Sequence, residues 1–107
     1  MSDNKVALIH ISSFERDVDR AIALAHRLID QDLSLRVRLI VNGAALPALL
    51  GTKPVLICDR ITVEACLFGL TAGGHDPQQL RPNVITVPQA ATALLEGQFA
   101  GGAYLRL

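Results

Sequence analysis

Aromatic side chains are scarce in this chain: three phenylalanines, one tyrosine and no tryptophan among 107 residues. Net charge is also lacking, since ten basic residues are balanced by ten acidic ones. Nucleic-acid binders carry a basic footprint and use aromatics to stack bases, so nucleic acid is not an expected partner. Cysteine occurs only twice, at Cys58 and Cys66, too few for a disulfide scaffold. No apolar run approaches the roughly 18 residues of a membrane span, so no membrane association is expected. The first residues, Met1-Ser2-Asp3-Asn4-Lys5, lack the basic region followed by an apolar stretch that marks a signal peptide. These absences together lead to the expectation of a cytoplasmic protein with both thiols reduced.

What is present is apolar. Half of the residues are hydrophobic and only 19% are charged, which excludes disorder for the body of the chain. The length fits one domain, residues 1–107. Small domains bury a smaller fraction of their surface than large ones, so some apolar surface is expected to face another subunit, in a homo-oligomer.

Residues 5–11 contain the nearly continuous apolar run Val6-Ala7-Leu8-Ile9-His10-Ile11, the pattern of a strand covered on both faces. Ser12 and Glu15 have capping-box spacing. The helix they would open carries Phe14, Val18, Ala21, Ile22, Ala25, Leu28 and Ile29 along one face. Leu35, Val37, Leu39 and Val41 alternate with Arg36, Arg38 and Ile40, which predicts a strand ended by Asn42-Gly43. Residues 44–50 read as a short helix with Pro47 in its first turn.

Residues 54–70 are ambiguous. Either Val55–Cys58 is a strand and residues 62–70 a helix, or Ile61–Cys66 is the strand. The β-branched trio Ile61-Thr62-Val63 favours the second. Asp76-Pro77 opens a helical turn, residues 84–87 form a strand, residues 88–98 a helix and residues 103–107 a last strand. Strands alternating with helices predict an α/β fold with a mainly parallel sheet of about five strands.

Ligands of open α/β sheets bind at the carboxyl ends of the strands. Those ends carry Ser12, Ser13, Asn42, Gly43, Cys66 (or Cys58) and Val87-Pro88. Only the cysteine among them is a strong nucleophile. Thiols attack as thiolates, which are favoured at a helix N-terminus or beside a cation. Free cysteine is equally a small apolar filler, and Cys58 in Val-Leu-Ile-Cys fits that role best. His75, after a glycine pair, is placed to approach Cys66 or to sit in a surface loop. His10 reads as a hydrogen-bonded core residue and His26 as a solvated one. Arg36 and Arg38 read as an anion holder or an exposed strand face. The cysteines lack Cys-x-x-Cys spacing and the histidines are scattered, so no metal is expected. Neither a phosphate loop nor a dinucleotide fingerprint is present, so no cofactor is expected. Glu64 is the only acid near Cys66, which leaves no carboxylate pair in view.

The chain resembles the DsrE/DsrF-like family of small α/β proteins linked to sulfur transfer. The residues that carry this are Val6–Ile11, the helix through Ala21-Ile22-Ala23-Leu24-Ala25, Val41-Asn42-Gly43, and Cys66 followed by Gly74. The most specific stretch is Asp76-Pro77-Gln78-Gln79-Leu80-Arg81-Pro82-Asn83-Val84, then Val87-Pro88 and the ending Gly102-Ala103-Tyr104. The resemblance favours Ile61–Cys66 as the third strand and implies a three-layer sandwich assembled as a trimer or hexamer. It further implies that Cys66 carries sulfane sulfur as a persulfide between donor and acceptor proteins, with Ser12, Ser13, Asn42, Gly43 and His75 lining the site. Two features depart from the family pattern: Phe68 stands where relatives often have asparagine, placing an apolar ring near Cys66, and the segment between Gly51 and Ile61 is short. The other reading is a non-catalytic oligomeric protein that binds or scaffolds, having kept the fold without the chemistry.

Overall fold

In the computed structural model, residues 5–107 are described, and the expectation about an amino-terminal signal falls partly on residues outside that range. Five strands, β1 (Lys5–Ile11), β2 (Leu35–Val41), β3 (Ile61–Cys66), β4 (Val84–Val87) and β5 (Ala103–Arg106), form one sheet in the order β4-β3-β2-β1-β5. Every pairing is parallel, so all strand carboxyl ends lie along one edge. The chain steps from β1 to β4 across the sheet and then returns to place β5 on the far side of β1.

Strand alternation decides what each face buries. Ile9 and Ile11, Val37, Leu39 and Val41, and Ile61, Val63 and Ala65 turn to one face. There they meet helix α1 (Arg16–Gln31) and a 3-10 helix at Gly43–Leu49. Leu8, Ile40 and Cys66 turn to the opposite face, where they meet Ala90, Ala93 and Leu94 of α3 (Ala90–Phe99). Helices on both sides of a parallel sheet make the expected three-layer α/β sandwich.

Several local expectations are corrected. No capping box forms: the residue ahead of α1 is Glu15, in helical conformation and without a side-chain cap. The Ser12 hydroxyl instead accepts from Arg106, which parallel pairing of β1 with β5 brings to that edge. Phe14 lies ahead of the helix, half exposed, with the Arg16 guanidinium 4.3 Å from its ring centre. Residues 43–49 wind as a 3-10 helix rather than an α-helix, with Pro47 inside it. Residues 54–58 are neither strand nor helix; Val55 is buried and its N–H donates to the Pro82 carbonyl. His26 is half-buried and its Nε2 lies 2.8 Å from the Leu56 carbonyl oxygen, so it ties α1 to that segment rather than standing in water.

Candidate functional site

Cys66 is the last residue of β3, and α2 (Leu67–Ala72) begins immediately after it. The connection leaving β3 packs Leu70 into the core on the α1 side. The connection leaving β4 forms α3 on the other side. Diverging connections open a crevice at the carboxyl edge of an α/β sheet, the place where such sheets bind ligands. The cysteine sits at that divergence.

Its sulfur receives two backbone amides. The Gly69 N–H donates to Sγ at 3.4 Å and the Ala90 N–H donates to it at 3.3 Å. One amide comes from the first turn of α2 and the other from the first residue of α3. Both would otherwise be unpartnered helix-start donors. The residue is buried, at 3% exposure, with Ile40, Val87, Ala90 and Leu94 packed in the same cluster. Phe68 is not part of that wall: it is 63% exposed and turned outward. The side chain lies low in the edge, with Gly69 passing over it: a Cβ built on Gly69 would be 3.6 Å from Sγ and 2.8 Å from Leu46.

Asn42 follows the last residue of β2, and Val41 is paired with Ala65. Asn42 and Cys66 therefore occupy adjacent register positions, on strands about 5 Å apart. Gly43 then turns the chain away with a positive φ of 59°; a Cβ there would press to 3.0 Å from the Ser12 carbonyl oxygen. Asn42 Oδ1 lies 2.9 Å from His10 Nε2, and His10 Nδ1 lies 2.8 Å from the Tyr104 hydroxyl. Next to them, Arg106 donates to the hydroxyls of Ser12 at 2.8 Å and Ser13 at 3.3 Å. Ser12, Ser13, Asn42 and Gly43 thus lie along the carboxyl edge, Asn42 and Gly43 beside the strand of Cys66 and the two serines one strand farther away. The His75 N–H donates to the Leu70 carbonyl and its ring lies against Gly73, while both hydrogen bonds to Sγ come from main-chain amides.

His10, Tyr104 and Arg106 are members of this edge that the sequence did not reveal. His10 reads as a hydrogen-bonded core residue; one partner, Tyr104, comes from a strand 94 residues away, and the other, Asn42, from the end of β2. The ending Gly102-Ala103-Tyr104 was a signal for the tyrosine, though not for its partner.

One strand repeat from Cys66, Glu64 is buried at 2% exposure. Arg38 grips it with Nε at 2.7 Å and a terminal nitrogen at 2.6 Å, and Thr62 donates to it at 2.6 Å. The hydrogen bonds to Glu64 hold the Arg38 guanidinium above its usual pKa, against the opposing effect of burial. Three donors occupy this carboxylate, so it serves the fold rather than proton transfer, and Arg38 is an internal partner rather than an anion holder or bare face. Among the described residues, no three His, Cys, Asp or Glu side chains are grouped to hold a metal ion, and no helix is long and apolar enough to cross a membrane.

Comparison with known proteins bears on the fold. No family model matches the chain, and no curated protein matches it. Among solved structures it is similar to a protein of unknown function, MTH1491, from Methanobacterium thermoautotrophicum. The TM-score is 0.80 at 20% identity, covering 98% of this chain and all of that one. At that identity the likeness establishes the α/β architecture.

Proposed function

We propose that this protein is a sulfur carrier that holds sulfane sulfur on Cys66 and passes it between thiols. The observation that carries this reading is the pair of main-chain amides directed at Sγ, at the carboxyl edge where the β3 and β4 connections part. Amides so placed favour negative charge on sulfur, and both attack and departure of this thiol require that charge. Loading needs no oxidant. The Cys66 thiolate attacks the outer sulfur of a donor persulfide, the donor S–S bond breaks, and the donor thiolate leaves. The resemblance to the DsrE/DsrF-like family supports the same reading.

Burial of the cysteine favours a second reading, a non-catalytic oligomeric protein that binds or scaffolds. Exposed Ile85, Leu95 and Phe99 supply apolar surface for subunit contact under either reading. Intact mass spectrometry after exposure to a small persulfide donor separates the two. The carrier reading expects one added sulfur atom on the wild type and none on Cys66→Ser. No adduct on the folded wild type, with the oligomer intact by light scattering, supports the second reading instead.

A further inference from the structure

Beside α1 lies a hollow of about 650 Å³, within the roughly 300–1,000 Å³ of small-molecule sites. One side of it is a single face of the helix. Asp19, Ile22, Ala23 and His26 follow i, i+3, i+4, i+7 spacing and span about 10 Å at 1.5 Å per residue. Pro54 and Leu56 line the other side. They belong to a segment without helix or strand, yet its backbone is tied down at each residue from 53 to 56. Arg81 donates to the carbonyls of Lys53 at 2.8 Å and Pro54 at 3.4 Å. Asn83 donates to the Val55 carbonyl at 3.3 Å, and His26 Nε2 donates to that of Leu56 at 2.8 Å. The Val55 N–H donates to Pro82 at 3.1 Å. The hollow is therefore pre-formed, which lowers the ordering cost of binding. Leu56 nonetheless remains 76% exposed on its anchored backbone, so an apolar occupant would bury it.

The charges of the hollow have a sign. Lys53, Arg81 and Asp19 line it, and the same three line an adjoining hollow with Gly51 and Thr52, which places them together at one end. Two cations thus face one carboxylate. The acceptors of Arg81 are neutral carbonyls, Ala48 being the third at 3.1 Å. Among the described residues the ion pairs are Lys5–Asp32, Arg20–Asp17 and Arg38–Glu64, so no carboxylate pairs with Lys53 or Arg81. We propose that this hollow binds a small amphipathic anion, a carboxylate on an apolar chain. The chain lies along Ile22 and Ala23 against Leu56, and the carboxylate faces Lys53 and Arg81. Cys66, whose side chain packs on the opposite face of the sheet, takes no part, so the site stands whether or not the protein carries sulfur.

Amide NMR titration of the intact protein tests this with three probes at one ionic strength: octanoate, octylamine and acetate. Octanoate is expected to shift the amides of Ile22, Ala23, His26 and Leu56 saturably. It is expected to bind at least about threefold more tightly than octylamine, the middle of what an exposed charge contact contributes. Acetate, which lacks the chain, is expected to give no saturable shift there. Lys53→Gln is expected to weaken octanoate binding about threefold and Asp19→Asn to tighten it, since the latter removes the opposing charge. Leu56→Ala is expected to weaken it at least about threefold through lost apolar burial. All three positions are exposed, so the variants are expected to keep the wild-type spectrum elsewhere. Absence of saturable octanoate shifts at these amides, or shifts centred elsewhere, overturns the site. Octylamine binding as tightly as octanoate, or weaker octanoate binding in Asp19→Asn, overturns the anion assignment. Acetate binding as tightly as octanoate, or unchanged binding in Leu56→Ala, overturns the role of the apolar chain.

Discussion

Gly97→Ala sets two opposing effects against each other. Gly97 lies inside α3, where alanine is favoured over glycine by about 1 kcal/mol. A Cβ there would stand 2.8 and 2.9 Å from the two terminal carbons of Leu8. Carbon pairs settle at about 3.5–4.0 Å, so both methyls must yield by more than half an ångström. Leu8 is fully buried in the sheet and has no solvent to move into. Overpacking of this kind costs roughly 1–3 kcal/mol, and the double clash puts the cost in the upper half of that range. The net expectation is a loss of about 1–2 kcal/mol, seen in urea unfolding at fixed protein concentration. In a Leu8→Ala background, itself about 2–5 kcal/mol less stable than the wild type, both Leu8 contacts are gone; beside the helix preference only a 3.3 Å approach to the Arg38 guanidinium remains, and that part-exposed side chain has room to shift. Gly97→Ala is then expected to stabilise by about 1 kcal/mol. The sign change is the signature of direct contact between the two positions. A stabilising effect of Gly97→Ala in the wild-type background, or additivity of the two changes, refutes the claim that α3 is seated through Leu8.

Two further outcomes follow from the charged groups. Glu64→Gln weakens bonds from Arg38 and Thr62 while leaving Arg38 able to regain water, so a loss of about 1–2 kcal/mol is expected in urea unfolding. No measurable change contradicts a structural role for that carboxylate. Asp32 accepts from the Ser34 hydroxyl, from Lys5 and from the Ser34 N–H, which hold its carboxyl at about 2 against an ordinary 3.8. A depressed folded-state value stabilises fully above the ordinary one, and that contribution fades as pH falls toward about 2. Carbon NMR titration is expected to place the midpoint there and Ser34→Ala to raise it; an unmoved midpoint in the variant contradicts the hydroxyl's role.

The sequence made the sheet readable because its strands are chemically uneven. Leu35–Val41 alternates with arginines on one side, and Ile61-Thr62-Val63 carries the β-branching that resolves the ambiguous middle. Asp76 fulfils its capping role, accepting from the Gln78 N–H at 2.9 Å. The carboxyl-edge location of Cys66 followed from reading Ile61–Cys66 as a strand of a mainly parallel sheet. The capping box does not form because α1 begins at Arg16, a turn beyond Ser12, whose hydroxyl accepts from Arg106 at the far end of the chain. His10 reads as a hydrogen-bonded core residue, and it is hydrogen-bonded but only half-buried; its contact with Tyr104 depends on β5 pairing with β1, a choice among strand orders that local periodicity does not encode. The outward turn of Phe68 was also hidden, since one residue past a strand end a single backbone turn decides which way a side chain faces.

The central claim is that the main chain around Cys66 activates its sulfur despite burial. Cys58 is the internal control: it is more accessible than Cys66 and lies in the irregular segment before β3. Alkylation of the native protein by iodoacetamide at neutral pH, followed by peptide mapping, gives the two rates from the same molecules. The account predicts faster modification at Cys66, the reverse of the order set by exposure. Modification at Cys58 alone, with Cys66 labelled only after unfolding, contradicts it.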